Sequence, residues 1–149
     1  MTSAFTGEEK RMERAESEAF LRERGTGVLS LAADDEAYSI PISFGYDGET
    51  IYVVFQGYSA DSEKSRFVEE TGRACLVTYD VAEKFEWTSV LVRGSIREVD
   101  DDEWDDLVEA IEDNAWYPSL FSEADPRGRL RGFALSVEEI SGLEDDSAV

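Results

Sequence analysis

Histidine is absent from this chain of 149 residues. That gap removes every mechanism that uses imidazole as a base and every metal site built on histidine nitrogen. Cysteine is nearly as scarce: Cys75 stands alone, so no internal disulfide forms. It sits in the apolar run from Ala74 to Val77 and reads as a small buried hydrophobe rather than a nucleophile. Positive charge is the third shortage, with 14 basic side chains against 35 acidic ones, a net charge of −21 and a pI near 4.1. A chain with no basic patch has nothing to neutralise nucleic-acid phosphates, which excludes that partner. No segment approaches the roughly 20 consecutive apolar residues of a membrane-spanning helix, and the start of the chain has no basic-then-apolar leader pattern. A cytoplasmic protein without a membrane partner is the expectation.

What the chain does have is an ordinary apolar share, 42%, enough for one hydrophobic core. The acidic residues recur along its whole length, from Glu8 through Asp34, Glu69 and Asp101 to Asp146. An interaction tail would concentrate them at one end, so they read as a solvated surface. A charge of −21 repels itself strongly at ordinary ionic strength. At about 1 M salt the Debye length falls to about 3 Å and the repulsion is screened, so the composition points to a halophilic protein. Calcium binding is the minor alternative, and Asp100-Asp101-Asp102 lacks the spaced carboxylates of an EF-hand loop.

The length suits a single domain over residues 1–149, with short disordered ends at about 1–5 and 143–149. Thr6 and Glu9 have capping-box spacing, and Met12, Ala15, Ala19 and Phe20 form an apolar stripe ending at Gly25, which predicts a helix over 7–24. Strands follow at 28–32, 38–44 and 50–55, with turns at Asp34-Asp35 and Asp47-Gly48. In the second of these, Tyr38, Ile40, Ile42 and Phe44 share one face and Ser39, Pro41 and Ser43 the other. Pro41 removes a ladder donor in mid-strand, so this strand lies at an edge, at a bulge or beside a ligand. A short helix is predicted at 62–71 with Phe67 and Val68 inward, then strands at 74–79 and about 87–99, the latter with Gly94 placed for a bulge. Trp104, Leu107, Val108, Ile111 and Ala115 recur at helical spacing as core packing. Residues 116–125 read as a loop containing Pro118, and 130–137 as the last strand before an acidic terminus. Six short strands, two or three helices and no glycine-rich phosphate fingerprint predict a mainly β (α+β) fold, a six-stranded antiparallel barrel with flanking helices, and not a dinucleotide-binding fold.

Two places could carry chemistry. Lys64 opens a helix after the loop 56–62, where free backbone N–H groups favour a phosphate. A surface lysine paired with Glu63 or Glu69 is the bland reading, and the local sequence favours it. Trp87, Thr88 and Ser89 start the long fifth strand with an aromatic ring and two hydroxyls, a set that can flank a planar heterocycle or belong to an ordinary sheet edge.

The order of Gly27-Val28-Leu29-Ser30-Leu31, Tyr38 to Gly48 around Pro41, Ile51-Tyr52, Lys64 before a Phe-containing helix, and Trp87-Thr88-Ser89-Val90 with Gly94 resembles the pyridoxamine 5′-phosphate oxidase-like family of FMN-binding split barrels. The resemblance spans about residues 10–142 and is strongest to a small, nitroimidazole-resistance-like branch found in haloarchaea. It implies a homodimer of split β-barrels with FMN at the subunit interface. In that reading Pro41, Ile42 and Ser43 lie beside the flavin ring, with Phe55, Gln56 and Ser62 near it. Lys64 contacts the phosphate, and Trp87, Thr88 and Ser89 flank the ring or ribityl chain. Lys64 shifts to the phosphate reading on that ground. Many relatives carry a histidine near the position of Val54 to Gly57 and an arginine where Thr88 stands, and this chain has neither. It also ends without the Arg-and-His substrate motif of the true pyridoxamine phosphate oxidases, which argues against vitamin B6 oxidation. The expectation is an FMN-dependent oxidoreductase acting on a small molecule, with no catalytic residue assigned. The alternatives are a non-catalytic flavin-storage module and an F420-dependent reductase whose cofactor tail would lie along Arg127, Arg129 and Arg131. That arginine cluster reads more simply as a local counterweight to the acidic surface.

Overall fold

The computed structural model describes residues 9–56, 63–114 and 130–145. Its strands are β1 (Glu9–Arg11), β2 (Thr26–Ala33), β3 (Glu36–Tyr46), β4 (Thr50–Gln56), β5 (Arg73–Glu83), β6 (Glu86–Glu98) and β7 (Leu130–Asp145). The helices are α1 (Arg14–Arg24), α2 (Glu63–Thr71) and α3 (Trp104–Asn114), the last entered through a 3₁₀ turn at Asp101–Glu103. Six strands run β7-β4-β3-β2-β5-β6, and β6 pairs back onto β7, so the sheet closes on itself; β1 adds a seventh, short strand at the end of β7. All pairings are antiparallel. The barrel expected from the strand pattern is therefore present.

Local chemistry explains the turns. Asp34 and Asp35 both take positive φ, 49° and 67°, in the two-residue β2–β3 hairpin, the conformation that matches the twist of the flanking strands. At the β3–β4 turn Gly48 sits at φ 106°, and the Asp47 carboxylate accepts from the N–H groups of Glu49 and Thr50 at 2.9 and 2.8 Å. The expected irregularity at Gly94 is real: the β6–β7 register shifts between Arg93 and Gly94. A side chain at 94 would meet the carbonyl of Ser136.

Two apolar layers hold the fold. Inside the barrel, Leu29, Phe44, Leu76, Val90, Val92 and Phe133 are fully buried. Outside it, Leu107, Ala110 and Ile111 of α3 pack on Tyr52, Ala134 and Val99. Each large aliphatic side chain so buried contributes roughly 1.5–3 kcal/mol. The helix can lie this close because Gly45 and Gly132 present no side chain: a Cβ at 45 would meet the backbone of Ala110, and one at 132 the Leu107 and Trp104 side chains.

Three expectations need correction. The first helix starts at Arg14, not 7, and Glu16 rather than Glu9 closes the turn, its carboxylate accepting from the Glu13 N–H at 3.0 Å. The segment ahead of it is β1, which pairs Arg11, Lys10 and Glu9 with Leu143, Glu144 and Asp145. The last strand accordingly runs to Asp145, well past 137, because it has β1 and β6 as neighbours to pair with. Cys75 is half-buried on the outer face of β5, while its neighbours Ala74 and Leu76 face the core. The loop 116–125 and Ala115 lie outside the described residues.

Candidate functional site

The ladder between β3 and β4 is short: it joins only Phe44–Tyr46 to Ile51–Val53. Beyond it the two strands part. Residues 36–43 of β3 pair with β2 alone, whereas Phe55 and Gln56 of β4 pair with Arg131 and Leu130 of β7. Among the described residues the β4-facing edge of β3 is thus open over the segment that contains Pro41. Hydrogen-bond direction alternates along a strand, and Phe44 donates toward β2, to the Gly25 carbonyl at 2.9 Å. The missing N–H of Pro41 therefore falls on the open edge, which settles the strand-edge choice left by the sequence.

Around this opening the side chains divide by face. Tyr38, Ile40 and Ile42 pack partly buried against the core, and the Tyr38 ring stacks on Phe67 of α2 at 5.1 Å. Pro41 and Ser39 stand exposed on the other face, where the Ser39 and Ser30 hydroxyls lie 2.9 Å apart. Ser43 donates its hydroxyl to the Gly25 carbonyl at 3.1 Å, which fixes its oxygen as an acceptor at the outer surface. Phe55 is buried and tilted onto Phe133 at 4.9 Å, so a ligand here would meet its backbone, not its ring. The helix α2, which begins at Glu63, is the next described element after this end of β4 in the chain. Ser62 and the side chains of Gln56 and Lys64 lie outside the described residues.

The Trp87–Ser89 group sits elsewhere on the same wall. Pairings place Trp87, Thr88 and Ser89 opposite Val81, Asp80 and Tyr79 of β5. The Trp87 N–H donates to the Asp145 carboxylate at 2.9 Å. Thr88 faces inward with Val90, and Ser89 faces outward with Trp87 and the exposed Tyr79. Ser43 pairs with Thr26 and Ser89 with Tyr79, on neighbouring strands of one sheet. Three strand spacings then separate Ser43 from Ser89, about 14 Å at about 4.8 Å each. Within one chain the two groups share a face but do not converge.

Arg131 is committed locally. It forms a two-pronged contact with Glu98, the shorter distance 2.7 Å, and reaches Glu69 at 3.4 Å. These carboxylates hold its guanidinium above its ordinary pKa. That is the counterweight role; Arg127 and Arg129 lie outside the described residues. Sequence reasoning missed the network of Tyr52, Glu103 and Arg97. Glu103 accepts from Arg97 at 2.6 and 3.0 Å and from the Tyr52 hydroxyl at 2.9 Å, and the Arg97 contact pulls its pKa below the usual carboxylate value. It ties β4, β6 and the start of α3 together and is architectural. A hollow of about 550 Å³ also opens between Arg22, Tyr46 and Asp47 on one side and Asp106, Glu109 and Asp113 of α3 on the other. Its carboxylates would repel a phosphate. Among the described residues no cluster of acidic or cysteine side chains is arranged to hold a metal ion, and no helix is long and apolar enough to cross a membrane.

A closed antiparallel barrel with a gap between two strands defines the molecule as a split β-barrel. Comparison with known proteins agrees: the sequence model of the family described as pyridoxamine 5′-phosphate oxidase matches residues 13–144, and the chain belongs to that family. Among solved structures, an FAD-binding protein of Mesorhizobium loti superposes with a TM-score of 0.75 at 18% identity, covering 93% of this chain and 99% of that one. An FAD-binding protein of Mycobacterium smegmatis gives 0.69 at 18% identity, covering 91% and 98%. An FAD- and heme-binding protein of the same organism gives 0.72 at 16% identity, covering 93% and 74%. No curated protein matches the chain in sequence.

Proposed function

We propose that this protein binds a flavin, FMN in the first instance, and works as a flavin-dependent oxidoreductase on a small molecule, in a homodimer whose second copy completes each site. The observation that carries the reading is the open edge of β3, with Pro41 on it, beside the end of β4 and ahead of α2. A strand edge with unpaired backbone groups is a place where a polar heterocycle finds donors and acceptors, and proline there keeps another strand from pairing instead. Ser39 and Ser43 offer hydroxyls to such a group on the exposed face, and Lys64, by its position at the start of α2, would supply the cation for a phosphate. Family membership and structural neighbours that bind FAD support a flavin as the group.

The flavin would supply hydride acceptance and release at its N5. The protein's part is orientation and water exclusion. With no histidine in the chain, hydroxyl and backbone groups must hold the ring, and Ser43 does so from a side chain already fixed by Gly25. The same absence favours a second reading, a flavin-binding module without turnover. An F420-dependent reductase remains the cofactor alternative, although Arg131, the described member of its arginine cluster, is held by Glu98 and Glu69.

The test is an absorbance spectrum after incubation with excess FMN, FAD or F420 in molar KCl, followed by desalting. Retained, shifted FMN absorbance is expected, with Lys64→Ala weakening FMN affinity about tenfold or more, the loss of one charge-assisted phosphate contact. Unchanged affinity in a folded Lys64→Ala variant would remove the site assignment. NAD(P)H oxidation by the loaded protein separates enzyme from storage module. Retention of FAD in preference to FMN would move the cofactor toward that of the structural neighbours.

A further inference from the structure

Helix α2 stands at the end of the barrel where β3 and β4 part. It packs on β2 and β6, and its Phe67 and Val68 enter the core with Leu31 and Ala33 of β2. Side chains tie it to strands on both sides of the gap. Toward β3, Phe67 stacks on Tyr38 with ring centroids 5.1 Å apart and planes 13° apart. Arg66 lies over the same Phe67 ring at 4.5 Å and reaches Glu36 of β3 at 3.7 Å. Toward β7, Glu69 meets Arg131 at 3.4 Å, and Arg131 is itself gripped by Glu98 of β6. The chain leaves the helix through Gly72, whose carbonyl accepts from the Ile96 N–H at 3.0 Å.

The β3 side matters most, because residues 36–43 have no β4 neighbour to hold them among the described residues. There α2 supplies the support that a paired strand would give. Of the two contacts on that side the ion pair is the weaker: the Arg66 and Glu36 side chains are 42% and 63% exposed, and salt screens such a pair. The stack is apolar and Phe67 is fully buried, so it persists in molar salt.

Position along the chain gives the stack a role. Pro41 lies three residues along β3 from Tyr38, about 10 Å at about 3.3 Å per residue. Lys64 lies three residues before Phe67, about 4.5 Å along the helix axis. The stack therefore joins the strand edge proposed for the flavin ring to the helix start proposed for its phosphate. We infer that Tyr38, acting through Phe67, is a positioning residue that sets the start of α2 against the open edge of β3 and so makes the site select a flavin that carries a phosphate over one that does not. The inference rests on the proposed flavin site. A ligand with its ring and phosphate in one molecule needs both anchors at a fixed spacing, and an anchor held in place before binding costs less to order. Loosening the joint weakens the phosphate contact and leaves the ring contact as it was.

The experiment is equilibrium binding of FMN and of riboflavin in about 2 M KCl, with hydrogen exchange of the flavin-free proteins. The parent is expected to prefer FMN about tenfold or more. Tyr38→Leu should raise the FMN dissociation constant about fivefold to tenfold, the range for an aromatic pair, and leave that of riboflavin within about twofold. Tyr38→Phe keeps the ring and should restore the parent's preference. Without flavin, the α2 amides of Tyr38→Leu should exchange about fivefold to tenfold faster while those of α3 keep their protection. Tyr38→Met, which keeps more of the side-chain volume, carries the same expectations if circular dichroism shows Tyr38→Leu unfolded. Equal losses of FMN and riboflavin, unchanged FMN affinity, or a Tyr38→Phe chain that fails to restore the preference would overturn the positioning role. So would a parent that binds both flavins equally, although the flavin site itself would then stand. Unchanged α2 exchange would overturn the joint. A parent that binds neither flavin would remove the proposed cofactor and the selectivity with it, and exchange would still show whether Tyr38 holds α2, so the two failures are told apart.

Discussion

Single side chains in this protein do their work through carboxylates that have found a partner, and Glu103 is the best example. It is held by a two-pronged contact to Arg97 and by the Tyr52 hydroxyl, with only 21% of its side chain exposed. Glu103→Gln is expected to lower stability at neutral pH by about 1–3 kcal/mol, the usual worth of hydrogen bonds to a charged group. Because the folded pKa is depressed, the contribution is present above the ordinary carboxylate value and is lost as pH falls through the folded value. Denaturant unfolding at pH 7 and at about pH 2.5 checks it, and the difference between parent and variant should close on the acid side. Tyr46 behaves in the opposite sense. Burial, and then the hydrogen bond its hydroxyl donates to Glu18 at 2.8 Å, push its pKa up to about 12. An unfolded tyrosine ionises near 10, so stability is full below that pH and is lost as pH rises from 10 toward about 12. An ultraviolet titration should show Tyr46 and Tyr52, whose pKa burial and Glu103 also push up, ionising late or only on unfolding, and Tyr46→Phe should remove one tyrosine from that late step.

Elements were legible where a period of two or of 3.6 was imposed by burial on one face. Alternation in 38–44 marked β3 because its even positions pack on the core, and the Trp104–Ile111 spacing marked α3 because one side lies on Tyr52 and Ala134. The start of α1 was misread because Thr6 and Glu9 satisfy a local capping pattern, while the real start is decided by β1 pairing with β7, 132 or more residues away in sequence. No local signal reports such a partner. The site was legible in the same uneven way. Pro41 announced a strand edge by its missing donor, but the inward burial of Phe55 follows from its pairing with Arg131 and its contact with Phe133, both distant in the chain. Glycines show the limit most clearly: Gly45 looks like a turn residue beside Asp47-Gly48, yet it exists to let Ala110 approach. Gly45→Ala is accordingly expected to cost about 1–3 kcal/mol, the range for overpacking. Thermal unfolding together with tryptophan emission should show a lower midpoint and a changed environment for Trp104, which packs on that layer. An unchanged midpoint would mean that α3 shifts without loss.

For the whole molecule the governing quantity is the excess of 21 negative charges, which no arrangement of single ion pairs offsets. Most of the pairs are exposed: Arg73–Glu138 and Arg93–Glu139 join side chains 47–69% accessible, and such pairs contribute little each. Added salt therefore acts on two terms of opposite sign. It weakens the few favourable pairs and it weakens the much larger self-repulsion of the folded state, so the second dominates. The midpoint of thermal unfolding is expected to climb by several degrees between about 0.1 and 2 M KCl, about 1 kcal/mol or more for a domain of this size. Preferential exclusion of salt from apolar surface would raise it too, so the decisive comparison is with a Glu112→Lys, Asp113→Lys chain, both residues being exposed on α3, measured at concentrations where both proteins are monomeric. Screening predicts a gain at low salt that fades in molar KCl, because the charge change matters only while charges are felt. An equal offset at all salt concentrations would assign the effect to the local surroundings of those two residues, and the acidic surface would then be a matter of solvation rather than of balance against the fold.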